Sequence, residues 1–183
     1  MEIIKTDIPD IQIIKPKIFI DKRGYFLESY NETVLERLGF KQNFVQDNES
    51  KSMKGVLRGL HFQCPPFAQG KLVRVIHGAV LDVAVDIRKG SPTYGKWYAL
   101  ELTGKNKWML WIPQGFAHGF LTLEDHTIFS YKCTQVYNKE SESSIRWNDR
   151  DINIDWGDNL APVLSEKDKE APFFKDFKSP FHY

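Results

Sequence analysis

From Phe40 onward, roughly ninety residues run as short segments of alternating apolar and polar side chains broken by turn residues, and helical periodicity is absent there. That pattern confines the chain to an all-β architecture, a sandwich or a barrel, because a two-residue period lets each strand bury one face against a partner sheet. Segment 81–87 shows it best: Leu81, Val83, Val85 and Ile87 fall on one face and Asp82 and Asp86 on the other. Gly78 before it and Gly90-Ser91-Pro92 after it supply the turns. Residues 107–112 read as another strand closed by Pro113-Gln114-Gly115, and 117–123 and 127–134 follow as a pair.

Before this region, 11–20 is an apolar-rich strand interrupted by Pro16, and Asp21-Lys22-Arg23-Gly24 turns the chain into a second strand over 25–30. Asn31 is placed to cap a short helix whose apolar stripe is Val34, Leu35 and Leu38, with Gly39 at its C-terminal end. The last fifty or so residues are turn-rich. Ser165-Glu166-Lys167-Asp168 has the form of an N-terminal capping box, and Trp147, Trp156, Phe173, Phe174 and Phe177 should pack this tail on the barrel.

With 183 residues and 42% hydrophobic content the chain fits one domain, 1–183, with a sizeable core. Lys plus Arg number 25 and Asp plus Glu 24, a net charge of +1, so no bulk field points to nucleic acid or an anionic membrane. No apolar run suits a signal peptide or a membrane span, which places the protein in the cytoplasm. Cys64 and Cys133 lack CxxC spacing, so they read as reduced thiols rather than a disulfide or a zinc knuckle.

The chemistry-bearing stretch is Val56-Leu57-Arg58-Gly59-Leu60-His61-Phe62-Gln63, followed by Gly70-Lys71-Leu72-Val73-Arg74-Val75. Strict alternation puts Leu57, Gly59, His61 and Gln63 on one face and Arg58 with Val56, Leu60 and Phe62 on the other. Arg58 and His61 therefore share a site only if the strand bulges, which Gly59 permits most cheaply. A histidine in a barrel mouth can serve as a general base when a carboxylate fixes its tautomer, or it can be a hydrogen-bonded core or rim residue. Of the five histidines, none forms the HxH pair with which a strand usually offers a metal two imidazoles. Glycine-rich phosphate loops are missing too, which leaves Arg23, Arg58 and Arg74 as candidates to hold a phosphate. Taken singly, Lys71 reads as a solvated lysine and Tyr131 as a core tyrosine with its hydroxyl at an edge.

Taken together, these motifs closely resemble the dTDP-4-dehydrorhamnose 3,5-epimerases. The resemblance runs through Asp21-Lys22-Arg23-Gly24-Tyr25-Phe26-Leu27-Glu28, Phe44-Val45-Gln46-Asp47-Asn48, residues 56–63 and 70–75, Pro113-Gln114-Gly115-Phe116-Ala117-His118-Gly119-Phe120, Tyr131-Lys132-Cys133 and Leu164-Ser165-Glu166-Lys167-Asp168. It implies a cupin double-stranded β-helix, a jelly-roll barrel with short peripheral helices. It also implies the double epimerisation of dTDP-4-dehydro-6-deoxy-D-glucose in dTDP-L-rhamnose biosynthesis, with no metal and no cofactor. By the same resemblance His61 is the base, Asp168 orients it, Tyr131 returns the proton from the opposite face and Lys71 holds the enolate oxygen. His118 lies beside the sugar, Arg23, Gln46, Asn48 and Arg58 hold the diphosphate and nucleoside, Phe26 and Glu28 meet the thymine end, and Tyr137 and Glu142 form the later wall. A homodimer that exchanges its N-terminal segment is implied as well. In one departure, Arg150 follows Asp149 where the family usually has proline, which should alter loop stiffness rather than chemistry. Three other readings remain open: a mono-epimerase of C3 or C5, a non-catalytic cupin that binds a nucleotide sugar, and a metal-dependent cupin oxygenase, which the missing HxH disfavours.

Overall fold

The computed structural model describes residues 1–158 and 160–183. In chain order the strands are β1 (Glu2–Lys5), β2 (Gln12–Lys15), β3 (Ile18–Asp21), β4 (Gly24–Leu27), β5 (Gln46–Ser52), β6 (Leu57–Gln63), β7 (Lys71–His77), β8 (Ala79–Asp86), β9 (Trp97–Thr103), β10 (Met109–Ile112), β11 (Phe116–Thr122), β12 (Thr127–Cys133) and β13 (Glu142–Ser144). Two short helices, α1 (Glu32–Arg37) and α2 (Glu166–Glu170), lie outside them.

The strands form two facing antiparallel sheets, one ordered β1-β2-β10-β7-β12-β5 and the other β13-β6-β11-β8-β9, plus a separate hairpin of β3 and β4. Between the two large sheets lies an apolar cluster that includes Val73, Val75, Val80, Ala84, Leu110, Phe120 and Phe129. Val83 and Val85 of β8, with Ile87 just beyond its end, belong to a second cluster together with residues of the tail. The alternation read for 81–87 therefore holds, with Asp82 and Asp86 on the other face, both fully buried.

Four local expectations need correction. β11 and β12, read as a pair, are neighbours in sequence but belong to different sheets: β11 lies between β6 and β8, and β12 between β7 and β5. Alternation cannot say which strand pairs with which. The apolar run around Pro16 is split into β2, in the six-stranded sheet, and β3, in the hairpin, since proline lacks the N–H a continuous ladder needs. The strand after the turn ends at Leu27 rather than reaching residue 30. In α1, Asn31 caps as expected by accepting from Val34 N–H, but only Leu35 of the stripe is buried and Leu38 is exposed.

The tail packs against the five-stranded sheet. Trp156, Ile145, Ile152 and Phe181 are buried against Leu57, Leu60, Phe62 and Val85, and Trp147, Phe174 and Phe177 pack at the margin. Phe173 instead stands outside this cluster with the Arg146 guanidinium 4.4 Å from its ring centre. The turn at Asp149 is held by its own buried carboxylate, which accepts from the backbone N–H groups of Asp151, Ile152 and Phe174. No proline is needed to hold that turn. Both cysteines are free thiols, Cys133 buried and Cys64 partly so.

Candidate active site

The site depends on one irregularity in β6. His118 of β11 pairs with His61, and Phe120 pairs with Arg58, so Gly59 and Leu60 together oppose the single residue Gly119. The extra residue is a β-bulge at the glycine where it was expected. It regroups the strand: Leu57, Leu60 and Phe62 join the apolar cluster beneath the tail. Arg58 and His61 turn to the opposite face, where exposed Arg58 reaches Ser52 of the facing sheet at the rim and His61 points into a cavity that Arg58 does not line. Gly59 sits at φ +148°, and a Cβ there would lie 2.6 Å from the Gly119 Cα.

Polar side chains from both sheets meet on that inner face. Gln46 and Asn48 of β5, Lys71 of β7, Tyr131 of β12 and His61 and Gln63 of β6 line a cavity of about 110 Å³, with Tyr137 and Glu142 at its later wall. The volume is small against the few hundred Å³ usual for a ligand site. A compact ring fits, and any larger part of a ligand must lie along the rim.

His61 Nε2 meets Asp168 Oδ1 at 2.5 Å, although 107 residues separate them in sequence. Asp168 is delivered by the third residue of α2, whose Ser165 cap accepts from the Asp168 N–H and donates its hydroxyl to Asp168 Oδ2 at 2.7 Å. Asp168 thus takes part in the helix cap and meets His61 at the same time. Burial raises the Asp168 pKa, but the hydrogen bonds from His61 and Ser165 more than offset this and hold the carboxyl below its usual value. With Nε2–H donated to that carboxylate, the basic lone pair of neutral His61 is on Nδ1.

Across the cavity, burial pushes the Tyr131 phenol above its usual value, opposed by the Asn48 amide and Arg58. At neutral pH it is therefore a protonated donor. Lys71 is not the solvated lysine its position at a strand start suggests. Desolvation pushes its ammonium down, with Cys133, Asp82 and Glu142 pulling the other way, and its Nζ makes no hydrogen bond or ion pair among the described residues. Its register partner Cys133 is fully buried, and the thiol accepts from Asn48 Nδ2 at 3.6 Å.

His118 lies behind His61, bonded through Nε2 to buried Asp82 at 2.9 Å. Burial is the largest influence on it and pushes it below its usual value despite the carboxylate. Arg58 donates to Ser52 Oγ at 3.3 Å, so its guanidinium keeps most of its donors free. At the later wall, the Tyr137 hydroxyl donates to Glu142 at 3.0 Å, and Glu142 also pairs with Lys167. Lys167 was not singled out from sequence. Its one signal was its place beside Asp168 in the capping motif.

Other candidates lie elsewhere in the single chain. Arg74 alternates with the inward Val73 and Val75 and lines an outer cavity with Tyr25, Phe26 and Lys107, so it is not a companion of His61. Arg23 sits in the β3–β4 turn, 84% exposed and paired with Asp21. Phe26 is 65% exposed on β4, and Glu28 accepts from Asn31. None of these three lines the His61 cavity. Among the described residues no group of three or more His, Cys, Asp or Glu side chains is placed to hold a metal ion.

The model of the family described as dTDP-4-dehydrorhamnose 3,5-epimerase matches residues 5–176. The chain is 55% identical to a dTDP-4-dehydrorhamnose 3,5-epimerase of Shigella flexneri over 96% of this chain and 97% of that one. Among solved structures it is similar to a dTDP-6-deoxy-D-glucose-3,5-epimerase of Legionella pneumophila in complex with dTDP-4-keto-L-rhamnose. That match has a TM-score of 0.95 and 49% identity and covers 100% of this chain and 98% of the other. A 3'-monoepimerase of Streptomyces bikiniensis in complex with dTDP-quinovose is also similar, at TM-score 0.86 and 32% identity, covering 92% of this chain and 86% of that one.

Proposed function

The chain belongs to the dTDP-4-dehydrorhamnose 3,5-epimerase family, and from that premise we propose how its cavity carries out the reaction. It is an isomerase that inverts C3 and C5 of dTDP-4-dehydro-6-deoxy-D-glucose, in rhamnose biosynthesis, on a cupin-like β fold. Both carbons flank the C4 ketone, so loss of either hydrogen as a proton leaves an enolate. His61 Nδ1 takes that proton, and the imidazolium is held by Asp168. The negative charge collects on the C4 oxygen, where the partly desolvated Lys71 donates to it in a water-poor cavity. Tyr131 then gives its hydroxyl proton to the carbon from the other side, and solvent restores both side chains.

The observation that carries this assignment is that His61 and Tyr131 line one cavity from strands of opposite sheets. Inversion needs an acid and a base on opposite faces of one carbon, which facing walls provide. Incubation in heavy water with product analysis by NMR should show deuterium and inversion at both C3 and C5. Deuterium and inversion at only one carbon would make the chain a mono-epimerase, and tight dTDP binding without exchange a binding protein. Tyr131→Phe should still wash deuterium into the starting sugar while forming inverted product at least about a hundredfold more slowly, because only the return step is lost. Loss of exchange together with inversion would remove Tyr131 from that role.

The nucleotide extends along the rim, with its diphosphate at Arg58, its nucleoside near Gln46 and Asn48, and Tyr137 and Glu142 against it. His118, backed by Asp82, stands beside the sugar. Arg23, Phe26 and Glu28 come from a partner chain. Among the described residues the β3–β4 hairpin pairs with no other strand, and it leaves Ile20 80% and Phe26 65% exposed, which suits an arm laid against a second copy. Mixing inactive Arg23→Ala with inactive His61→Ala should then restore activity, since one site of each mixed dimer has both residues. Mixtures no more active than their parts would rule the exchange out. Two free thiols suit a reducing compartment, the cytoplasm. Among the described residues no helix is long and apolar enough to cross a membrane.

A further inference from the structure

We infer that Ser165 is a positioning residue for the catalytic dyad, acting through Asp168 rather than on the sugar. This rests on the reading of His61 as the base. A carboxylate turns easily about its last side-chain bond, where the torsional preference is broad. Asp168 cannot turn in this way, because both of its oxygens are engaged: His61 Nε2 at 2.5 Å on Oδ1 and Ser165 Oγ at 2.7 Å on Oδ2.

The Ser165 hydroxyl performs two roles with one oxygen. It accepts the Asp168 N–H at 3.2 Å, which caps α2, and sends its proton to the same residue's carboxylate. The usual capping box differs, since there the third residue's side chain reaches back to the cap's backbone N–H. Here the carboxylate bonds the cap's hydroxyl and, through its other oxygen, the base. Asp168 has only 4% of its side chain exposed, so water cannot readily replace a missing donor at Oδ2. Ser165 itself is exposed, which lets it be replaced without opening the core.

The two roles can be separated by substitution. Ser165→Asp keeps a side-chain acceptor for the cap, but it cannot donate to Asp168 and sets a second carboxylate beside it, so it removes the donor and adds like-charge repulsion. Ser165→Gly keeps most of the cap preference and likewise removes the donor. Ser165→Thr keeps both roles. With the dTDP-4-dehydro sugar as substrate, Ser165→Asp and Ser165→Gly should lower kcat about tenfold or more, the size expected for loss of a hydrogen bond to a charged group. KM should stay within about twofold, because the nucleotide contacts are untouched, and Ser165→Thr should restore kcat. Thermal unfolding of the three variants should remain near that of the parent.

Wild-type kcat in Ser165→Gly and Ser165→Asp would reduce Ser165 to a helix cap and overturn the inference. So would a rise in KM with kcat unchanged, or a fall in kcat that tracks lost thermal stability and is not relieved by threonine. Failure of the underlying reading would look different, because then the unmodified protein itself would show no deuterium exchange at C3 or C5.

Discussion

Replacing His61 with alanine is expected to lower kcat by about 10²- to 10⁴-fold, the usual contribution of a general base, and to stop deuterium exchange at C3 and C5 together. The joint loss is the stronger part of the expectation. On the proposed mechanism one imidazole on one wall serves both carbons, a single ring flipped or shifted within the cavity presenting either C–H to it. Asp168 keeps its Ser165 donor in the variant, and His61 is already 29% exposed, so the fold should survive the change. His61→Asn, which can still donate to Asp168, should be equally inactive, since it restores the hydrogen bond and not the base. Exchange rates at the two carbons, read separately by NMR with circular dichroism alongside, check this. Persistence of exchange at one carbon within tenfold of the parent rate would mean that a second base serves that carbon.

Gly59→Ala should be the most disruptive single-methyl change near the site. The added Cβ would lie 2.6 Å from the Gly119 Cα and 3.3 Å from the His118 carbonyl oxygen, both backbone atoms of β11 that no side-chain motion can clear. The backbone also sits at φ +148°, a region L side chains rarely adopt, which alone costs about 1–3 kcal/mol. Strain and steric conflict together should reach on the order of 4 kcal/mol, at the exceptional end for point substitutions. Relief by separating β6 from β11 would undo the bulge, so activity should fall further than stability alone explains. Gly24→Ala is the control: its φ is also positive, +126°, but nothing lies within 4 Å of the added carbon. Denaturant midpoints for the two variants, set beside exchange rates for the folded fraction, measure the difference. A Gly59→Ala protein as stable as Gly24→Ala would show that the close approach of the two strands is dispensable.

That glycine also shows what was legible in the sequence. Alternation placed Arg58 and His61 on opposite faces and pointed to Gly59 as the residue where a bulge would be cheapest, which is where the structure has it. β8 was legible because one face is apolar and the other is not. β5, Gln46-Asp47-Asn48-Glu49-Ser50-Lys51-Ser52, gave no such signal. Its inward side chains meet a polar cavity and its outward ones meet water, so hydrophobic period vanishes although the strand is regular. The nature of Lys71 was hidden too, since its desolvation is a property of the folded cavity and its register partner Cys133 lies sixty-two residues on. No local pattern could join His61 to Asp168 across 107 residues. The family resemblance did that, because it links motifs without needing to know the path between them.

The dyad is divided between two bodies of structure: His61 belongs to the barrel and Asp168 to the tail that packs on it. During synthesis the last strand of the large sheets is complete by Ser144, while Asp168, the residue proposed to orient the base, is still two dozen positions from emerging. On the proposed mechanism, a newly made barrel is chemically silent until its tail docks. The same division works in reverse under stress, since a docked segment can release at lower free energy than a sheet core unfolds. Loss of turnover then precedes loss of the fold, and catalysis reports the docking of the final forty residues more sensitively than any spectrum of the barrel.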